Sequence, residues 1–544
     1  MKINKSVNPL PLIILIIALT KLTGLQGKAI YVDGKLSDDN GNGSLQYPKK
    51  YITSGIRLLA SGDTLIIEDG VYKGQSNIIH QSHRPANGTA GRYTVIKARN
   101  MGKVYIDGEY LLKPVEIGNL SYIVFNGIIF CQSSETNFTL VDSDHIKIIR
   151  CGFCDANNTP TQRANHILMR YCEYVLLEDC FTWGTAKYRF YVLDSKFIIL
   201  RRCLDRFDRG IDNGPYSNLA SYRIYGSNNV LLQNCISIDA DADLILNNNN
   251  GDLVPADPKL LFIGGNPSTN NRSEDNLIEG CIFLNCKSNG WIGFGGKDMS
   301  SNNTIRNSVF WDLNGSFWTR GSSTTAYVNH CTIGNIQYEN NSHDRAIESD
   351  FSGNVEVYNS IIYNTGSEAL RNVRSNYNVL FDNYKNYSGT AVGYNDICTE
   401  NNNAIDPIDG SPGNGSPALK YLLKIEAESD LANTSSENSN SGATIIKKIG
   451  ISGTLFGEDG YNRLTDESLW PWENEHIIKN LLQKYHYDDG KNTISGKRGF
   501  CADNQTLTNY IWGYLGNEPP DFYPPYLNFD NLSPEPDAMA VDVN

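Results

Sequence analysis

The chain has 544 residues, 40% of them hydrophobic, enough to bury a large core and too apolar for a disordered polymer. Its 47 basic and 60 acidic residues leave a net charge of −13, which argues against sequence-independent binding to nucleic acid, because phosphate affinity needs clustered positive charge. A polyanionic partner would need a local basic groove.

Residues 1–28 are expected to be a signal peptide. Lys2 and Lys5 precede an apolar run from Leu10 to Leu19, long enough for a signal core and too short to cross a bilayer comfortably. The rest of the chain shows no apolar run of membrane-spanning length, so a secreted, periplasmic or cell-surface location is expected, with no membrane contact beyond the signal segment.

Residues 29–118 read as an N-terminal cap and first coils. Ile56 to Leu59 can form a short amphipathic helix over the first strand edge, and SGDTLIIEDGVY supplies the first strand and turn. From residue 119 to 410 one short apolar phrase recurs at irregular intervals: SDHIKIIRC ending at Cys151, CEYVLLEDC at Cys180, SKFIILRRC at Cys203, SNNVLLQNC at Cys235 and EDNLIEGC at Cys281. Gly127 precedes the series, and Ser308, Cys331 and Ser360 continue it. A fixed phrase with variable loops describes a solenoid, and runs of Ile, Val, Leu and Tyr between Gly/Asn/Asp turns make its units short stacked strands. The cysteines then form a column of small buried side chains with parallel Cα–Cβ vectors, unsuited to disulfides. The polar residues preceding the column, among them Asn234, Asn307 and Asn359, are expected to form a side-chain ladder along the axis. A further strand is expected at Leu260 to Ile263.

Residues 411–518 are expected to cap the last coil, with a helix from about Glu473 to Tyr485 and a second short helix within Gly499 to Leu515. The proline- and acid-containing tail, 519–544, reads as extended or disordered. The fold class is therefore all-β: a single-stranded right-handed parallel β-helix with an N-terminal helical cap and a small irregular or helical C-terminal cap.

The N-terminal stretch from AIYVDGKLSDDNGNGS to GVYKG, with the repeated phrase, resembles the start of exported pectate-lyase-like parallel β-helix proteins over roughly residues 29 to 410. That resemblance implies a polysaccharide ligand and, for its lyase members, Lys or Arg as base, often with Ca²⁺. The NTD, DD, GHG and RIK set of inverting polygalacturonases is missing, as is an RxPxxR phrase. GSEALRNVR, with Glu368, Arg371 and Arg374, is similar to a phrase of alginate and chondroitin lyases.

Between Lys187 and Arg209 seven basic residues face three acidic ones. Counted from the cysteine column, Lys187, Arg209, Asp208, Asp239 and Asp241 fall within a few residues of one register and are expected to share one stripe. Such a stripe suits a uronate-containing polysaccharide: Arg holds carboxylates bidentately and Asp supplies hard oxygen ligands for Ca²⁺. The expected roles are Lys187 and Arg209 as catalytic groups, Trp183, Arg189 and Arg206 as substrate contacts, and Asp208, Asp239 and Asp241 as metal ligands. Arg201 and Arg202 read as one ladder residue and one outward charge. β-Elimination by a monomeric enzyme is the first expectation, and glycoside hydrolysis ranks below it. A non-catalytic carbohydrate-binding or adhesive β-helix is the alternative.

Overall fold

The computed structural model describes residues 27–516 except 158–163, 212–218, 241–244, 247–252, 255–257, 287–290, 296–298, 316, 337–344, 399–418, 420, 426–428, 430, 437 and 489–492. The signal segment and the C-terminal tail lie outside the described residues.

Three long parallel sheets, of 14, 13 and 12 described strands, wind into a right-handed parallel β-helix. One coil shows the logic. Asp144–Ile149 lies in the first sheet, Gly152–Ala156 in the second and Asn165–Arg170 in the third, and Glu173–Glu178 re-enters the first one coil on. Alternate residues point inward and stack in register, as in Ile148, Leu177, Leu200 and Leu232. Phe130 on Phe153 and Phe283 on Phe310 stack similarly, with ring centres 5.6 and 4.9 Å apart. Each fully buried side chain of this kind contributes about 1.5–3 kcal/mol.

The cysteine column is where the repeat places it. Cys151, Cys180, Cys203, Cys235, Cys281 and Cys331 are buried in the central core, and all twelve cysteines are thiols. Their sulfurs donate to carbonyls of the previous coil, as Cys180 does to Ile148 (3.2 Å) and Cys235 to Leu200 (3.2 Å). Burial pushes the Cys203 thiol far above the ordinary range, whereas at Cys235 the effect of burial is outweighed by hydrogen bonds with Cys203 and Cys281, which hold it below that range. Gly127 proves one residue out of register. Asn126 pairs with Ile149, which puts Gly127 opposite Arg150.

The expected strand at Leu260 to Ile263 runs from Pro258 to Gly264. The N-terminal helix, α1 (Ile52–Ile56), starts four residues earlier than expected and buries Ile52 and Ile56 against the first coil. In the C-terminal region, α2 (Glu475–Leu482) and α3 (Leu507–Tyr514) lie within the two expected helical stretches. No described helix is long and apolar enough to cross a membrane.

The polar residues before the column differ from expectation. Arg150, Asp179, Arg202, Asn234, Asn307, His330 and Asn359 all take left-handed backbone, with φ between 47 and 55°, which makes the sharp corner from first to second sheet. Their side chains do not run as one ladder. Instead they bind a returning C-terminal segment. Asn359 Oδ1 accepts from Ser436 N (2.9 Å), Asn307 exchanges two bonds with Thr444, and Asn234 Oδ1 accepts from Ile449 N (2.7 Å). Farther back, Arg202 pairs with Asp179 (2.6 Å) and donates to Ser452 Oγ (3.1 Å).

The described residues between 419 and 515 therefore lie along the side of the helix, whereas the sequence placed this region over its last coil. The reason is apolar. The outward side chains of the second sheet, including Ile129, Phe181, Leu204, Ile236, Leu284 and Trp311, form one continuous stripe that would otherwise face water. Leu423, Trp470, Trp472, Leu482, Phe500 and Trp512 cover it in a second core. Leu455, with Phe456 and Tyr461 against it, covers Leu176, Ile199 and Leu231 of the first sheet.

Candidate functional site

The described part of the stripe expected from spacing converges at the corner where the second sheet turns toward the third, but Leu482, Tyr487, Gly496, Arg498 and Tyr510 cover it. Asp208 sits at its centre with no exposed surface. Its carboxylate pairs with Arg206 (2.9 Å) and Arg498 (3.0 Å) and accepts the Gly184 amide (2.8 Å). Burial raises its pKa, and the two guanidiniums outweigh that and hold it below the ordinary carboxylate value. Arg206, also fully buried, donates to the carbonyls of Leu482 (3.2 Å) and Gly496 (2.7 Å). Arg189 is enclosed over the Phe207 ring at 3.7 Å and donates to the carbonyls of Ala186, Gly184 and Arg209. Arg209 is 2% exposed and lies 3.8 Å from the centre of the Tyr487 ring. Trp183 is stacked on Phe181 (5.5 Å) inside the covered apolar stripe.

These positions correct most of the expected roles. Arg189, Arg206 and Trp183 are buried and do not offer their side chains to a substrate, and Arg209 is not an accessible base: the C-terminal segment packs on Arg206, Arg209 and Trp183, while Arg189 is enclosed within the coils. Asp208 does not fit calcium, because its oxygens face two guanidiniums and an amide. Asp239 Oδ1 accepts from Tyr510 Oη (2.6 Å) and Asn285 Nδ2 (2.8 Å), while its buried Oδ2 has no donor among the described residues. Asp241 lies outside the described residues. Arg201 and Arg202 both face the returning segment: Arg201 donates to Ile451 O (2.7 Å) and Tyr461 O (2.9 Å).

One group of this corner has an unusual proton affinity. Asp155 accepts the Thr185 amide (3.1 Å), and burial pushes its carboxyl up to about 6, with Asp208 adding to the rise and the Thr185 amide and Arg209 opposing it. Its folded pKa exceeds the unfolded value, so the folded state holds the proton more tightly. Stability then falls as pH rises from about 4 to about 6. Asp155→Asn is expected to flatten that fall and to be more stable than the parent at pH 7, since asparagine also tolerates the φ of 48°. Urea midpoints at pH 4.5 and pH 7 check this, and a loss of stability at pH 7 would contradict it.

Among the described residues, no hydrophobic cluster covers the outer face of the third sheet. There Leu168, Tyr191, Arg223 and Phe262, adjacent in register, stay partly exposed. The strands that build it read YRFYVL, LASYRIY, PKLLFIG and FWTR. Their alternation sends aliphatic and aromatic chains inward and Tyr, Arg, Phe and Trp outward.

Arg223 is the focus of that face. Its guanidinium lies 4.5 Å from the ring centre of Tyr188, 4.5 Å from Tyr225, 4.8 Å from Phe262 and 5.7 Å from Tyr191. Three coils on, Arg320 lies 4.3 Å from the Trp318 ring, whose indole N–H donates to Asp350 (2.8 Å). Arg170, near the other end, lies over Tyr171 at 4.5 Å. None of these three guanidiniums meets a carboxylate among the described residues. By contrast, Arg345 beyond them is paired with both Glu348 (2.6 Å) and Glu368 (2.8 Å). Lys187, 5% exposed, borders the face, its Nζ 5.6 Å from the centre of the Tyr188 ring. Burial pushes the Tyr191 hydroxyl up to about 12, so it stays a proton donor at neutral pH. The counting that found the covered corner missed this face; the alternation of aromatic and basic residues in YRFY and SYRIY was its signal.

No family model matches the chain, and no curated protein sequence does. Among solved structures the chain is similar to the pectate lyase Pel9A, with 14% identity over 77% of this chain and 95% of that one and a TM-score of 0.41. It is similar to a family PL6 polysaccharide lyase from Pseudopedobacter saltans, at 13% identity over 72% and 98% of the two chains, TM-score 0.37. A family GH136 lacto-N-biosidase from Eubacterium ramulus gives 11% identity over 71% and 69%, TM-score 0.42.

Proposed function

We propose that this protein is exported and binds an acidic, uronate-containing polysaccharide along the open face of its third sheet. The observation that carries the reading is Arg223, a guanidinium with no carboxylate partner among the described residues, ringed by four aromatic side chains on the outer face of the third sheet. Aromatic rings offer apolar area to sugar faces, and guanidinium groups accept carboxylates in two parallel hydrogen bonds. A face held by a stack of parallel strands is rigid, so little ordering cost is added on binding.

Cleavage by β-elimination is the second reading, and Lys187 favours it, placed beside Tyr188 at the margin of the face. A lysine in its neutral form can take the proton next to a sugar carboxylate.

Arginine-selective chemical modification with and without a polyuronate, read by mass spectrometry, tests the binding site. Protection is expected at Arg170, Arg223 and Arg320 and not at the exposed Arg57 or Arg463. Protection confined to other arginines would sink the assignment. In the same samples, absorbance of an unsaturated product, with and without Ca²⁺ and lost in Lys187→Ala, would establish elimination; bound but intact polymer would leave the protein a binder.

A further inference from the structure

Between the first strand, Ala29–Val32, and α1, residues Leu36 to Pro48 line a cleft of about 360 Å³. Ligand clefts begin at about 300 Å³. The backbone fixes its frame. Asp39 Oδ1 accepts the amides of Lys50 (2.7 Å) and Tyr51 (3.3 Å), and the Gly43 amide donates to Tyr47 O (2.9 Å). Gly43 takes left-handed backbone (φ 85°), and Gly41 has no room for a Cβ beside the carbonyls of Tyr47 and Pro48, so the two arms of the loop meet closely. The cleft is therefore formed before a ligand arrives, and little ordering cost is added on binding.

Its lining suits an uncharged polar ligand with one flat apolar side. Tyr47 is 67% exposed and offers its ring. Beside it the side-chain amides of Asn40 and Gln46 have no hydrogen-bond partner among the described residues, and that of Asn42 uses only its oxygen, on the Ser44 amide (3.0 Å). Primary amides donate and accept at once, as neighbouring sugar hydroxyls require. Among the described lining residues Asp38 is the only charged one. The adjacent Lys49 and Lys50 give their ammoniums to the carbonyls of Asp39 (3.0 Å) and Ser37 (3.1 Å). A uronate would thus bring its carboxylate up to Asp38, like charge against like. We infer that this cleft is a second carbohydrate site and takes a neutral pyranose residue, its flat side on Tyr47 and its hydroxyls on Asn40, Asn42 and Gln46. The site stands independently of the third-sheet face.

Calorimetric titration of the full-length protein with cellobiose, lactose and diacetylchitobiose tests this, with digalacturonate as the charged counterpart. At least one neutral disaccharide is expected to bind in the millimolar range and to lose about tenfold in affinity in Tyr47→Ala and severalfold in Gln46→Ala. Both side chains are exposed, so the thermal midpoints of the variants should match the parent's. Digalacturonate is expected to bind the parent and Tyr47→Ala equally. No binding by any of the neutral disaccharides at about 20 mM, or neutral binding that Tyr47→Ala leaves unchanged, would overturn the site. Digalacturonate binding that falls in Tyr47→Ala as far as neutral binding does would overturn the neutral class.

Discussion

Replacing Arg201 by alanine is expected to cost about 3–5 kcal/mol of folding free energy and to loosen residues 447–468 before the coils themselves. Arg201 has no exposed surface and ties two parts of the chain together. Within the coils it donates to Gln233 Oε1 (2.9 Å) and Glu178 Oε1 (3.1 Å), and across to the returning segment it donates to the carbonyls of Ile451 and Tyr461. Alanine would take one donor from each of those carbonyls, leaving Tyr461 O to Gln233 Nε2 and Ile451 O to Thr454, and would strip Glu178 of one of its two guanidiniums, the other being that of Arg202. The fit is close on the other side too. Gly450, at φ 79°, could not take a Cβ without bringing it 2.4 Å from Arg201 Nε. A lower denaturant midpoint with early proteolytic cutting between residues 447 and 468 is the expected outcome; an unchanged midpoint would mean that the segment is held by its apolar contacts alone.

The coils were readable from the amino-acid sequence because their cause is local. A phrase such as EYVLLEDC carries strand, inward pattern and corner residue within eight positions, so each repeat announces itself. The column of cysteines was readable for the same reason. What the phrase does not carry is which of its outward faces another part of the chain will cover. Arg206 and Asp208 look like surface residues when counted from Cys203, and they become interior because Leu482, Gly496 and Arg498, nearly 300 positions later, close over them. That contact is long in sequence and has no periodic trace. The same covering explains why the Asp and Arg convergence was real and its chemistry misread: charges gathered at one corner served to fasten the returning segment. Tyr191, Arg223 and Phe262 were legible only as strand residues, since their meeting depends on register across coils of unequal length.

Loss of Arg223 is the second large effect. Hydrogen bonds to charged groups contribute about 1.5–3 kcal/mol, so Arg223→Ala is expected to weaken polysaccharide binding about 10- to 100-fold. Its stability should change little, because the guanidinium is partly exposed and has no ion pair among the described residues. Arg223→Lys should recover only part of the affinity: an ammonium keeps the charge and the cation–π contacts but cannot hold a carboxylate in a planar fork. Affinity for the parent should also fall as salt is raised, more steeply than for the alanine variant.

The most direct measurement is a calorimetric titration of the parent and Arg223→Ala with the same uronate polysaccharide, in parallel with Arg463→Ala on the opposite, covered side. The parent and Arg463→Ala are predicted to bind alike and Arg223→Ala at least tenfold more weakly at equal denaturant midpoint. Equal binding by all three proteins, or none by the parent, would contradict the assignment of the open third-sheet face as the polysaccharide site.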